Sequence, residues 1–176
     1  MTAPNLSAAN GVLGNWLTNP LSLNANWISS PAIPNSWTIG TEVAIMYQFN
    51  TLGATNVVAR FGVDNGIYAW LDGTYLLGRR DPGGVSLGEY TLGLGNLSAG
   101  THFLQLLVED HGSANGYAVD IKADEFIPGP APRQRAAFSP IRYHARWSNS
   151  RQGLYDIVGL CLHTDLPTSN HHRTEE

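Results

Sequence analysis

The sequence predicts an all-β chain: an antiparallel β-sandwich of jelly-roll type with about eight strands. Three observations predict it. Runs rich in β-branched and aromatic residues alternate with a period of two. Gly, Pro, Asn and Asp interrupt those runs at short intervals. No stretch between them shows a sustained helical period. The composition agrees. Of 176 residues, 19 are Gly and 10 are Pro, and only 14% are charged. That charged share is low against the roughly 25% of an average soluble protein. Few charges and many turn formers suit short strands joined by tight turns.

Residues 1–40 carry Trp16, Trp27 and Trp37 among Pro20, Pro31, Pro34 and Gly40. Proline recurs too often for a long helix. Short extended pieces are expected, with the tryptophans covering the flank of the sandwich. Glu42–Phe49 and Asn56–Val63 then read as two strands separated by a Gly-containing turn. In the second, Val57, Ala59, Phe61 and Val63 share one face, and Val58, Arg60 and Gly62 the other. Asp64-Asn65-Gly66 is a turn. Ile67–Asp72 is the next strand, and Asp72-Gly73 is a tight hairpin turn into Thr74–Leu77.

Arg79–Gly84 reads as a polar loop, Ser86–Leu92 as a short strand and Leu94–Gly100 as a connection. Thr101–Val108 is a strand, Glu109–Gly116 a long polar loop, and Tyr117–Ala123 the closing strand. Pro128-Gly129-Pro130-Ala131-Pro132 marks the end of the domain. Residues 1–128 are therefore the expected sandwich. Residues 129–176 are expected to be a proline-containing linker and an irregular or disordered tail, with a non-native reading frame as one explanation. Leu154–Leu162 is the only apolar run of that tail.

Charge excludes one class of partner. Residues 1–128 hold ten acidic and four basic side chains, and the tail four and six. No basic footprint for nucleic acid is present. Cys161 is the single cysteine, so no internal disulfide forms. No run approaches the roughly 18 apolar residues of a membrane helix. The first residues lack a basic, apolar leader pattern, so an exported protein would be represented here in mature or truncated form.

Residues 61–121 carry a recognisable pattern: FGVDNGIYAWLDGTYLLGRR, then LGNLSAGTHFLQLLVEDHGSANGYAVDI. It resembles the core of galactose-binding-like domains, jelly rolls found in carbohydrate-binding modules. It is also similar to ectodomains of bacterial exported proteins of the PEP-CTERM type, which carry a proline-rich linker before a sorting signal. Pro128–Pro132 stands where that linker would begin, although the sorting signal itself is absent. The resemblance implies the jelly-roll fold, an extracellular or cell-surface location, and a glycan or cell-surface polysaccharide as partner. Fold alone does not give the ligand.

Candidate contacts follow from residue chemistry. Tyr68 and Trp70 lie two apart on one strand face, where exposed rings would stack on sugar faces. The competing expectation places that face under a neighbouring segment. Arg60 stands mid-strand opposite Phe61 and is a ligand contact only on a concave face. Asp81 in the RRDPGG loop, and Asp110, His111 and Asn115 in the EDHGSANG loop, sit where sandwiches usually bind. Their carboxylates, with backbone carbonyls, make a structural Ca²⁺ conceivable, although no EF-hand spacing is present.

Catalysis has little to stand on. Asp72 and Glu109 are the one imaginable glycosidase pair, and Asp72 already has a turn role. His102 and His111 have no serine elbow or cysteine partner. His144, His163, His171 and His172 have no zinc-like spacing with Cys161. The expected function is a non-catalytic carbohydrate-binding or adhesive module of an exported bacterial protein. The alternatives are a structural surface or matrix protein without a small ligand, and an accessory domain of a larger glycoside hydrolase.

Overall fold

A computed structural model describes residues 1–29, 33, 35–80, 83–112, 114–129 and 158–163. Among the described residues the chain is all-β and antiparallel, apart from one short helix. In order, the elements are α1 (Ser7–Leu13), β1 (Ile28–Ser29), β2 (Glu42–Asp64), β3 (Gly66–Leu71), β4 (Thr74–Arg80), β5 (Tyr90–Leu97), β6 (Gly100–Glu109), β7 (Gly116–Lys122), β8 (Glu125–Pro128) and β9 (Val158–His163).

The two runs expected as separate strands are one strand, the 23-residue β2. The Gly-containing segment bends it without ending it. Gly53 and Asn56 take positive φ, 153° and 48°, and register shifts fall between Thr51 and Gly53 and between Ala54 and Val58. Such bulges turn a strand while its neighbours keep pairing. The first half of β2 pairs with β6 and β9, and the second half with β5 and β7, with β8 spanning the bend. The nine-stranded sheet runs β1-β9-β2-β6-β3-β4, with β5, β7 and β8 also on β2. It is curled.

The main core lies inside the curl. Val43, Ile45, Tyr47 and Phe49 from the first half of β2 join Val57, Ala59, Phe61 and Val63 from the second. Leu104, Leu106 and Val108 of β6, and Ile67 and Ala69 of β3, complete it. A second apolar layer covers the outside of the first half. Ala44 and Met46 of β2, Trp70 of β3, and Phe103 and Leu107 of β6 pack there against Leu13, Trp16 and Trp27. The N-terminal segment thus covers a sheet flank, as expected, but with a seven-residue helix among its pieces. Trp37 goes elsewhere, into the main core, where its indole N–H donates to the carbonyl of Thr41 at 2.9 Å.

The Asp72-Gly73 turn has the predicted chemistry. Both residues have positive φ, 50° and 78°, as a two-residue type I′ hairpin requires. Strand β4 continues through Arg79 and Arg80, into the expected loop. Strand β5 is Tyr90–Leu97, not Ser86–Leu92, and takes in most of the expected connection. Its glycines at 93 and 95 hid the apolar alternation of Leu92, Leu94 and Leu97, which all face the core. Strand β8 was not anticipated. Six residues of the expected irregular tail form β9. Residues 130–157 and 164–176 lie outside the described residues, so the rest of that expectation does too. Among the described residues, no helix is long and apolar enough to cross a membrane.

Candidate functional site

Tyr68 and Trp70 share a face of β3, as the period of two demands, but the N-terminal segment covers it. Trp70 is 3% exposed. Its ring meets Trp16 edge-on at 5.6 Å and Tyr75 at 5.7 Å between centroids. Tyr68 is half-buried, tilted against Trp70 at 6.3 Å. Met1 closes this patch. Its amino group donates to the carbonyl of Gly78 at 2.9 Å, and its carbonyl accepts from the Tyr75 hydroxyl at 2.6 Å. Burial, with the nearby Glu109 charge, pushes the Tyr68 phenol up to about 12. A stacking platform needs an open ring face, so the Trp70 expectation is corrected: this ring is core.

Asp110, His111 and Asn115 do come together, at one end of the sheet. The reason is topological. The β2–β3 turn, the β6–β7 loop, the approach to β2 and the segment before β5 all emerge there. Asp110 is fully buried and works as a loop clamp. Its carboxylate accepts from the amides of Gly40 at 2.5 Å and Gly112 at 3.0 Å. The Asn115 amide group brackets Trp37, accepting from its N–H at 3.0 Å and donating to its carbonyl at 2.7 Å. That pairing mimics a strand ladder and fixes the segment entering β2. Both residues are committed to backbone groups of their own chain, which leaves them little for a ligand.

His111 is exposed. Its ring Nε2 is 3.0 Å from Glu109 Oε2, and its backbone N–H donates to Asn65 Oδ1 at 2.8 Å. Glu89, which sequence inspection passed over, ties the β4–β5 segment to β2. Its carboxylate accepts from Val63 N at 3.2 Å and Ser86 N at 2.9 Å. Asp64 was read only as a turn residue. It is buried, and its Oδ1 has no hydrogen-bond partner among the described residues. Gly83 lies beside it. Buried carboxylate oxygens are normally satisfied, so this atom marks a place for a donor. Asp81 lies outside the described residues.

Arg60 is remote from this loop cluster in role. It stands on the outer face of β2, opposite Thr91 and Asp120 in register. Its guanidinium pairs with the Asp120 carboxylate, which Lys122 also approaches at 3.2 Å. Burial works to raise the Asp120 carboxyl, but hydrogen bonds from Arg60 and Lys122 outweigh it and hold the group below the usual carboxylate range. The core fills the inside of the curl, so Arg60 is on the convex side, where a surface ion pair is the ordinary use of an arginine.

Asp72 and Glu109 are engaged by different partners. Asp72 accepts from the Phe103 amide at 2.7 Å and pairs with His102 at 2.7 Å, while Glu109 engages His111. Among the described residues, no group of three or more His, Cys, Asp or Glu side chains stands placed to hold a metal ion. No family model, curated protein or solved structure matches the chain.

Proposed function

We propose that the chain is a non-catalytic structural module of an exported surface or matrix protein, built to display its scaffold and not to grip a small ligand. One observation carries this: the aromatic hairpin that would have been the sugar platform is closed, with Trp70 at 3% exposure beneath Trp16. Asp110 and Asn115 are likewise spent on backbone clamps, and Arg60 on an ion pair. The exported bacterial setting rests on the resemblance of residues 61–121.

A second reading keeps the carbohydrate-binding role and moves it to the loop end. Asp64 Oδ1, unpartnered among the described residues, favours it, because a sugar hydroxyl is the kind of donor that oxygen lacks. The deciding experiment is a broad glycan array with the full chain, with and without calcium, beside Asp64→Asn. No glycan bound under either condition supports the structural module. Saturable binding lost in a folded Asp64→Asn chain overturns it in favour of a lectin-like site at the loop end.

A further inference from the structure

One edge of β2 is filled in an unusual way. Strand β7 pairs along it from Asp64 to Val58, and β8 continues from Thr55 to Thr51. The Gly129 amide makes the last bond of this run, to the carbonyl of Asn50 at 2.8 Å. Pro130 and Pro132, next in the sequence, have no N–H to give a ladder. The same edge is then taken up by β9, with Val158 opposite Gln48 and His163 opposite Val43. On its other side β9 pairs with β1, Ile28 opposite Cys161 and Ser29 opposite Leu160. It is a strand inserted between two others. Without it, two rows of backbone groups face each other unpaired.

The slot selects its occupant. Val43, Ala44, Ile45, Met46 and Tyr47 are all buried, so β2 is apolar on both faces at this point. Such an edge favours a continuous apolar run over an alternating one. After Gly129 the sequence Ile157–Leu162 has that character. The connection is far longer than it needs to be. Twenty-eight residues, 130–157, join Gly129 to Val158, although these stand only two positions apart along β2. Fully extended, a connection of that length reaches at most about 90–100 Å, so it is long enough to carry the strand to the slot of a neighbouring molecule as well as to its own.

We propose that the gap between β1 and the Val43–Gln48 edge of β2 is an exchangeable strand-binding site, whose partner in trans is the Val158–His163 strand of a second copy of this chain. Main-chain hydrogen bonds supply the affinity and the two apolar faces the selectivity, as in other strand-addition complexes. The inference stands independently of the proposed function.

The test uses the full chain. Leu160→Pro removes a ladder N–H from the middle of β9 and should vacate the slot. A fluorescent peptide of residues 156–165, with Cys161→Ser to prevent oxidation, is titrated into wild type and variant. Saturable one-to-one binding to the variant, at least tenfold weaker in wild type, is expected. No binding to a folded variant, or equal binding to both chains, overturns the proposal. Hydrogen exchange on the wild-type chain serves if the variant does not fold. Amides of β9 should exchange at least a hundredfold faster than those of Leu104–Val108 in β6, and equal protection would show that the strand does not exchange. Refolding wild type at high concentration should give dimers that Leu160→Pro does not form. A strictly monomeric product would exclude pairing in trans.

Discussion

The Gln105 side chain is fully buried, and its amide donates to the main-chain carbonyl of Trp16 at 2.7 Å. Its carbonyl accepts from the Gly73 amide at 2.8 Å. One polar side chain in the middle of β6 therefore ties the N-terminal cover to the sheet and to the β3–β4 hairpin. Replacing it by Ala orphans a buried carbonyl and a turn N–H. Gln105→Ala should cost about 2–6 kcal/mol, the sum expected for two such groups. Urea unfolding followed by tryptophan fluorescence measures it.

Trp70→Ala is expected to act as a core mutation. The indole packs against Trp16 and Tyr75 and has almost no exposed surface. A loss of about 3–5 kcal/mol follows from emptying that volume. A stability change below about 1 kcal/mol would mean that the ring is open to solvent after all.

The Asn115 bracket on Trp37 predicts a local effect. Asn115→Ala should leave both main-chain groups of Trp37 without their partner and cost about 1–3 kcal/mol. Hydrogen exchange should show amides of residues 35–41 losing protection before those of β6. Uniform loss across the sheet would argue against a local clamp.

Asp120 makes stability depend on acid pH. Its folded value lies below the unfolded one, so the folded state holds fewer protons as the group titrates. The contribution is present above the unfolded value near 3.9 and is lost as pH falls through the lowered folded value. The pair is partly open to water, which limits it to about 1 kcal/mol. Asp120→Asn should therefore be less stable than wild type at pH 7, and the two should converge as pH falls through the lowered folded value. A gap that persists at low pH would assign the loss to packing instead.

Tyr68 gives the opposite dependence at alkaline pH. Its folded value near 12 lies above the unfolded value near 10, so its contribution is full below pH 10 and disappears as pH rises toward 12. Ultraviolet titration of phenolate absorbance should show a late-titrating phenol in wild type that is lost in Tyr68→Phe. A Tyr68 that ionises near pH 10 would show that Met1 and the N-terminal segment do not cover it.

Much of this protein was legible without coordinates. The alternation of Val57, Ala59, Phe61 and Val63, the Asp72-Gly73 turn and the strand Thr101–Val108 are local properties, because a period of two and a positive-φ turn are written within a few residues. Three things were not local. Whether Gly53 ends a strand or merely bends it depends on partners far along the chain, here β5, β6, β7 and β8. Which face of β3 is buried depends on where Trp16 and Trp27 fold back, and so the ring chosen as a platform became core. Whether an apolar run in a proline-bounded tail is a strand depends on an open edge elsewhere, which β2 supplies to β9. The sequence by itself determined the all-β class, the Asp72-Gly73 turn and strands β3, β4, β6 and β7, since those follow from backbone preference and side-chain periodicity. Only the tertiary structure decided burial, strand neighbours and the roles of Asp110, Asn115 and Gln105. Desolvation and hydrogen-bond satisfaction are properties of groups brought together in space, not of their order along the chain.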